Sequence, residues 1–171
     1  MKDRSEHTKE NPIKTGLMLF LIALIYIIAI PFLIPGFLKG IYLRYKFRNA
    51  AITQGKYVIF VYSNSPHWKP YIEEHILPKI QDHTILLNWS DRSKWDRTSW
   101  IVQGFRRWGG HYEFYPLAIV YSRFIDIRVF RFYNAFIDLK HGNEIPLQKV
   151  ESQFLDLVIS LKNTKSQHTT T

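Results

Sequence analysis

The clearest pattern in the chain is a long apolar segment near its start. Residues 16–38 are almost without charge. No acidic residue follows before Glu73, whereas several basic residues do: Lys39, Arg44, Lys46, Arg48 and Lys56. A helix of about 20 apolar residues is long enough to cross the hydrocarbon core of a bilayer. We therefore predict a polar tail over 1–15 and a transmembrane helix over 16–36.

The charges that flank this segment predict its orientation. The tail carries four Lys and Arg residues, and the chain after the apolar segment carries five up to Lys56. Basic residues favour the cytoplasmic side of a membrane, which predicts a single-pass protein with its C-terminal domain in the cytoplasm. The apolar run is too long for a signal-peptide core, so we expect it to remain in the mature protein.

Two prolines interrupt the second half of the apolar segment. Pro31 and Pro35 each remove a backbone donor, which predicts a kink or a helix end near Pro35–Gly36. Over 37–55, apolar residues recur at helical spacing and basic residues fill the other side, as in a helix that lies among headgroups. This predicts membrane-surface residues that contact anionic lipid: Lys39, Arg44, Lys46 and Arg48. A re-entrant hairpin bent at the prolines is the alternative.

The remaining chain, over 56–161, reads as one α/β domain. Short apolar runs rich in β-branched and aromatic residues predict buried strands at 56–62, 84–89 and 116–121. Apolar residues at helical spacing predict helices at 66–80, 98–108 and 145–161. Strands that alternate with helices are typical of a mainly parallel sheet. The polar residues over 162–171 predict a disordered tail.

The segment over 123–141 fits two patterns. Ile125, Ile127 and Val129 alternate with polar residues, as in an antiparallel strand. A polar stripe at helical spacing also crosses the segment: Arg128, Arg131, Asn134, Asp138 and His141. The β-rich composition favours strands.

Charge and cysteine content narrow the classes of partner. The formal net charge is +9, and residues 1–55 hold eight basic residues against three acidic ones, compared with fifteen against eleven over 56–171. More than half of the excess therefore flanks the apolar segment, which favours anionic lipid headgroups over nucleic acid as the partner. The chain has no cysteine. Disulfides, thiolate metal sites and thiol nucleophiles are excluded.

The predicted order of elements, βαβαββα over 57–161, resembles the thioredoxin-like fold in its glutaredoxin form. Tyr115–Pro116 stands where that family often places a cis-proline before its third strand. The residues after the first strand depart from the family, because Ser63-Asn64-Ser65-Pro66-His67 stands where the Cys-x-x-Cys motif is expected. This departure excludes thiol-disulfide exchange, which needs a thiolate, and predicts a redox-inactive domain. We expect no cofactor. A doubly wound nucleotide-binding domain is the alternative, although no glycine fingerprint follows any strand.

Candidate chemistry falls after the predicted strands, since ligands collect at the carboxyl ends of parallel strands. The segments 63–68, 88–97 and 109–115 should meet there, together with the end of the second helix. We assign acid or base roles to His67 and Asp91, and name His111 as a further polar contact. The candidate anion-binding residues are Arg92, Lys94, Arg97, Arg106 and Arg107. A simple helix cap at 63–66 and salt bridges within 91–97 explain the same residues without a ligand.

Metal binding has little support in the sequence. His67, His75 and His83 are each eight residues apart, a spacing that spreads their side chains around a helix. Glu73-Glu74-His75 lacks a second histidine at the spacing of zinc proteases. We expect no metal site.

Two functions remain open. The first is a binding or scaffolding module at the cytoplasmic membrane surface, which recognises a protein partner. The second is a membrane-associated transferase or hydrolase that acts on an anionic or lipid-linked substrate. Convergence of His67, Asp91 and the arginines in one pocket favours the enzyme, and dispersal favours the binding module.

Overall fold

The computed structural model describes residues 12–110, 115–122 and 125–168. The chain divides between Tyr42 and Leu43 into two compact units. The first helix, α1 (Pro12–Thr53), contributes to both units.

The N-terminal unit contains the apolar part of α1. Among the described residues, α1 is the helix that is long and apolar enough to cross a membrane. Its large apolar side chains from Leu17 to Leu38 are exposed. Pro31 and Pro35 lie inside the helix, so the predicted helix end near Pro35–Gly36 and the re-entrant hairpin are both wrong. Apolar helices tolerate proline because neighbouring backbone bonds adjust around the missing donor.

The C-terminal unit begins at Leu43, well before the predicted boundary at residue 56. Leu43, Phe47 and Ala50 are buried and recur at helical spacing, so the last turns of α1 belong to the core of this unit. The Phe47 ring stacks on Tyr121 with centroids 4.5 Å apart. It also lies close to the Gly104 backbone, because a Cβ on Gly104 would overlap the Phe47 ring.

Four strands form one mixed sheet in the order β2-β1-β3-β4. Their bounds are β1 (Val58–Tyr62), β2 (Thr84–Asn88), β3 (Leu117–Val120) and β4 (Arg128–Arg131). β1 pairs with β2 in parallel, whereas the β1–β3 and β3–β4 pairs are antiparallel. The three predicted strands are therefore present, but the expected mainly parallel sheet is wrong. Apolar runs reveal buried strands and carry no information on their direction.

Burial follows position in the sheet. β1 and β3 are central and wholly buried. β2 lies at an edge, and Leu86 is 44% exposed there, so the prediction of a fully buried second strand is wrong. An edge strand has a neighbour on one side only, which leaves part of its side chains in solvent.

Helices connect the strands at the predicted places. The first connection is helical from Lys69 to Ile80, as α2 (Lys69–Tyr71), a π-helical turn (Ile72–Ile76) and α3 (Leu77–Ile80). The second consists of α4 (Trp100–Gly104) and a π-helical turn (Phe105–Gly109). Gly110 ends it with φ +92°, a left-handed conformation that favours glycine.

The ambiguous segment contains both a strand and a helix. β4 ends at Arg131, and α5 (Tyr133–Lys140) follows it. The prediction of strands over 123–141 is therefore wrong for residues 133–140. Phe132 and Phe136 are buried one helical turn apart, which fixes the helical spacing after the strand. α6 (Ile145–His168) buries Phe154 and Val158. It continues through 162–168, so the predicted disordered tail over 162–171 is wrong for these residues.

The Tyr115–Pro116 peptide bond, which precedes β3, is cis.

Candidate functional site

A cavity of about 620 Å³ lies between the segment after β2 and the π-helical turn after α4. Aromatic and basic side chains predominate in its lining: Trp89, Arg92, Ser93, Trp95, Arg97, Phe105, Arg106 and Gly110. We call this cavity the three-arginine pocket. All of its lining residues belong to the C-terminal unit.

Short-range hydrogen bonds shape the segment that carries most of the lining. Asn88 caps a 3-10 turn over Trp89–Lys94, since its Oδ1 accepts from the Ser90 backbone N–H at 3.0 Å. The Asp96 carboxylate accepts from the Thr98 backbone N–H at 2.8 Å and from the Thr98 hydroxyl at 2.6 Å. These bonds stabilise the charged form and lower the pKa of Asp96. These hydrogen bonds stabilise the turn and the residues that lead into α4.

The rings of Trp89, Trp95 and Phe105 line the apolar side of the cavity, and the Tyr115 ring contacts two of them. We call these four rings the aromatic wall. Trp89 lies against Tyr115 with centroids 4.3 Å apart, and Trp95 meets Trp89 edge to face at 5.6 Å. Phe105 is 2% exposed and contacts Trp95 edge to face at 5.7 Å. Edge-to-face pairs stabilise by about 0.5–1.5 kcal/mol beyond burial, so these contacts stabilise the wall.

Three guanidiniums line the same cavity. The Arg92 Cζ lies 5.0 Å from the Trp89 ring centroid, and its Nη1 donates to the Trp89 carbonyl at 3.4 Å. Arg97 and Arg106 are exposed. Within the described part of the chain, none of the three forms an ion pair with a carboxylate. The lining therefore carries three positive charges and no described acidic residue.

A further arginine lies close by. A Cβ on Gly110, which lines the pocket, would be 3.7 Å from the Arg131 Nη2. Arg131 is the exposed last residue of β4. Sequence patterns placed Arg131 only in a polar stripe. Its position beside the pocket depends on the antiparallel pairing of β3 with β4, which a local pattern does not show.

The structure brings together some of the predicted anion-binding residues. Arg92, Arg97 and Arg106 line one pocket. Lys94 instead donates to Asp91 Oδ1 at 2.8 Å, which raises the pKa of Lys94. Arg107 does not line the pocket, and its Cζ lies 5.9 Å from the Trp108 ring centroid.

The two candidate acid–base residues do not line the pocket. Asp91 pairs with Lys94, and His67 is exposed beside Trp68, with ring centroids 6.4 Å apart. The predicted contact His111 lies outside the described residues.

The polar residues after β1 form hydrogen bonds among themselves and with the end of β2. Asn88 Nδ2 donates to Asn64 Oδ1 at 2.9 Å, and the Asn64 backbone N–H donates to Ser90 Oγ at 3.0 Å. The Ser65 hydroxyl accepts from the His67 backbone N–H at 3.4 Å. These bonds account for the residue types of the segment without a ligand.

The predicted membrane-surface residues have varied surroundings. Lys39 and Arg48 are exposed, and Lys46 is half-buried. Arg44 donates from Nη1 to Asp126 Oδ1 at 3.2 Å.

The three evenly spaced histidines have separate neighbours. His75 stacks on Tyr71 with centroids 4.5 Å apart, and His83 stacks on Tyr57 at 4.8 Å. Within the residues that the structure describes, no group of three or more His, Cys, Asp or Glu side chains is arranged to hold a metal ion.

The aromatic wall was not predicted from the sequence. The five tryptophans suggest a stacking platform for sugars or bases, and helical spacing favours core or interface positions for Trp100 and Trp108. Trp89 and Trp95 were not assigned to the anion site. The sequence feature that indicates the wall is the interleaving of arginine and tryptophan in Trp89–Arg97. This pattern suits a surface that binds an anion carrying an apolar group.

Comparisons of the chain with protein-family models, with curated proteins and with solved structures found no match.

Proposed function

We propose that the protein is a membrane-anchored α/β binding module whose C-terminal unit binds an anionic ligand in the three-arginine pocket. The observation that carries this proposal is the convergence of Arg92, Arg97 and Arg106 on one aromatic-walled cavity without a described carboxylate partner. Guanidiniums bind carboxylates and phosphates through paired hydrogen bonds, and like charges gathered in one cavity attract an anion.

The anchor is supported by the exposure of the apolar side chains of α1. Apolar surface in water is unfavourable by about 25 cal/mol per Å², and a bilayer removes this cost along the apolar segment of α1. The basic residues after the apolar segment support a cytoplasmic C-terminal domain. Anionic headgroups are the partner of those basic residues in this proposal.

The proposal includes a redox-inactive, thioredoxin-like domain. Its support is the succession of β1, a helix, β2, a helix, β3, β4 and a closing helix, together with the cis bond at Tyr115–Pro116. α5 is an additional helix between β4 and the closing helix. The absence of cysteine leaves no thiol for disulfide exchange.

Binding is better supported than catalysis. The described lining consists of Arg, Trp, Phe, Ser and Gly, and arginine stays protonated at every physiological pH. The candidate acid–base residues, His67 and Asp91, do not line the pocket. A transferase or hydrolase would need such a group beside its anionic or lipid-linked substrate.

The test is a calorimetric titration of the full chain in phosphatidylcholine nanodiscs. The probes are three aryl anions, namely phenyl phosphate, benzenesulfonate and benzoate, and neutral benzyl alcohol. We expect at least one anion to bind and benzyl alcohol not to bind. We expect Arg106→Gln to lower the affinity for that anion by about tenfold or more, which corresponds to about 1.4 kcal/mol.

Arg128→Gln is the matched control, because Arg128 is exposed on β4 and does not line the pocket. We expect this variant to bind the anions as the unsubstituted protein does. The proposal fails if none of the anions binds, or if both substitutions weaken binding equally.

A further inference from the structure

The size of the three-arginine pocket indicates the size of its ligand. Pockets of about 300–1,000 Å³ enclose whole organic molecules. At about 620 Å³, this cavity exceeds what a small inorganic anion fills. The anion should therefore carry an organic group.

The charge of the lining indicates the charge of the ligand. Arg92, Arg97 and Arg106 supply three positive charges, and the described lining supplies no negative one. A phosphomonoester carries a charge of about −1.5 to −2 at neutral pH and offers three acceptor oxygens. A carboxylate or a sulfonate carries one negative charge and leaves more of the lining charge uncompensated. Three guanidiniums therefore match a phosphomonoester better than a monoanion.

The aromatic wall indicates where the organic group lies. Trp89 contacts Tyr115, Trp95 and Phe105, and the Arg92 guanidinium lies over its ring. Trp95 contacts Trp89 and Phe105 edge to face, at interplanar angles of 74° and 87°, and it is half-buried. Among the three described rings that line the cavity, Trp95 therefore has the fewest described ring neighbours.

We infer that the three-arginine pocket binds a phosphomonoester that carries an apolar group. Arg92, Arg97 and Arg106 hold the phosphate oxygens, and Trp95 contacts the apolar group. This assignment rests on the proposed anion-binding function and narrows it to one class of ligand. A soluble phosphorylated metabolite and a phosphomonoester lipid headgroup share this chemistry.

The first test compares phosphate with single-charge anions. Phenyl phosphate, benzenesulfonate and benzoate are titrated into the full chain in phosphatidylcholine nanodiscs. At about pH 7.5 we expect phenyl phosphate to bind at least tenfold more tightly than the other two. At about pH 5 the phosphate becomes a monoanion, since its second pKa is about 6, and the preference should shrink. The arginines stay charged throughout, so the change belongs to the ligand.

Substitutions then locate the two halves of the ligand. We expect Arg97→Gln and Arg106→Gln each to lower the affinity for phenyl phosphate by about tenfold. Arg128→Gln should leave this affinity unchanged. Trp95→Leu should weaken phenyl phosphate while leaving the binding of inorganic phosphate unchanged. Equal losses for both phosphates in Trp95→Leu would overturn the assignment of Trp95.

A lipid arm distinguishes the two sources. Nanodiscs that contain phosphatidic acid, a phosphomonoester lipid, are compared with nanodiscs that contain phosphatidylglycerol, a phosphodiester lipid, at equal molar fraction. If phosphatidic acid competes with phenyl phosphate and phosphatidylglycerol does not, the ligand is a membrane lipid. Binding of phenyl phosphate without competition from either lipid assigns it to a soluble metabolite.

The outcomes separate the two proposals. If benzoate or benzenesulfonate binds as tightly as phenyl phosphate, the phosphomonoester assignment is wrong and anion binding stands. If none of the three binds, both proposals fail.

Discussion

At the scale of single residues, sequence reasoning identified the charged side of the pocket and missed its aromatic side. Arg92, Arg97 and Arg106 were predicted as anion contacts because they follow a strand or end the next helix, and they line one cavity. Their role there stays a prediction. Trp89 and Trp95 were considered as part of a stacking platform and were not assigned to this site, because a sequence pattern does not show which side chains a ring faces.

Two tyrosines offer a residue-scale test of the core. Tyr121 is 1% exposed, and its Oη has no hydrogen-bond partner among the residues that the structure describes. Burial raises its pKa. Tyr71 Oη donates to Glu151 Oε2 at 2.7 Å. An unsatisfied buried hydroxyl is costly, whereas a hydrogen bond to a charged group stabilises by about 1.5–3 kcal/mol.

We therefore expect opposite effects when each hydroxyl is removed. Tyr121→Phe should leave the free energy of unfolding unchanged or raise it by about 1 kcal/mol. Tyr71→Phe should lower it by about 1–2 kcal/mol. Urea unfolding followed by far-ultraviolet circular dichroism measures both. A larger loss in Tyr121→Phe than in Tyr71→Phe would contradict the described packing.

At the scale of elements, positions were predicted better than pairings and boundaries. The three predicted buried strands and the helices between them occur near their predicted positions, whereas α5 occupies residues that were predicted as strand. The direction of β3 and the change from strand to helix after Arg131 depend on long-range contacts, such as the bond from the Phe132 backbone N–H to the Pro116 carbonyl. The end of α1 belongs to the C-terminal unit because a buried stripe, Leu43, Phe47 and Ala50, lies beside the more conspicuous exposed aromatics.

Two substitutions in α1 test this boundary. Phe47 is 1% exposed, and Tyr45 is 65% exposed on the same helix. We expect Phe47→Ala to lower the free energy of unfolding of the C-terminal unit by about 3–5 kcal/mol, because a large cavity opens in the core. Tyr45→Ala should change it by less than about 0.5 kcal/mol. Equal small effects in urea unfolding would place 43–53 outside the folded unit.

At the scale of the whole molecule, the account joins an apolar anchor to a folded binding unit. Composition and charge predict a single-pass protein with its C-terminal domain in the cytoplasm, since basic residues favour that side of the membrane. A thioredoxin-like relationship and an anionic ligand are proposals of the same kind. A local sequence pattern predicts neither the fold family nor the ligand, because both depend on how distant segments of the chain come together.

The orientation can be tested with introduced thiols, since the chain has no cysteine of its own. Ser5→Cys lies in the N-terminal tail, and Gln153→Cys lies on the exposed side of α6. In whole cells we expect a membrane-impermeant maleimide to label the first variant. The second should be labelled after lysis only. Labelling of Gln153→Cys in intact cells would reverse the orientation.

The central claim is that an anion binds at the three-arginine pocket of the intact protein. The most direct measurement is ¹⁵N–¹H spectroscopy of the five tryptophan indoles during a titration with phenyl phosphate in phosphatidylcholine nanodiscs. Trp89 and Trp95 line the pocket, whereas the Trp68 indole donates to Ser63 Oγ at 3.2 Å and does not line it. The account predicts saturable shifts of the Trp89 and Trp95 signals with the Trp68 signal unmoved. Saturable shifts confined to Trp68, or no shift of any indole, would contradict it.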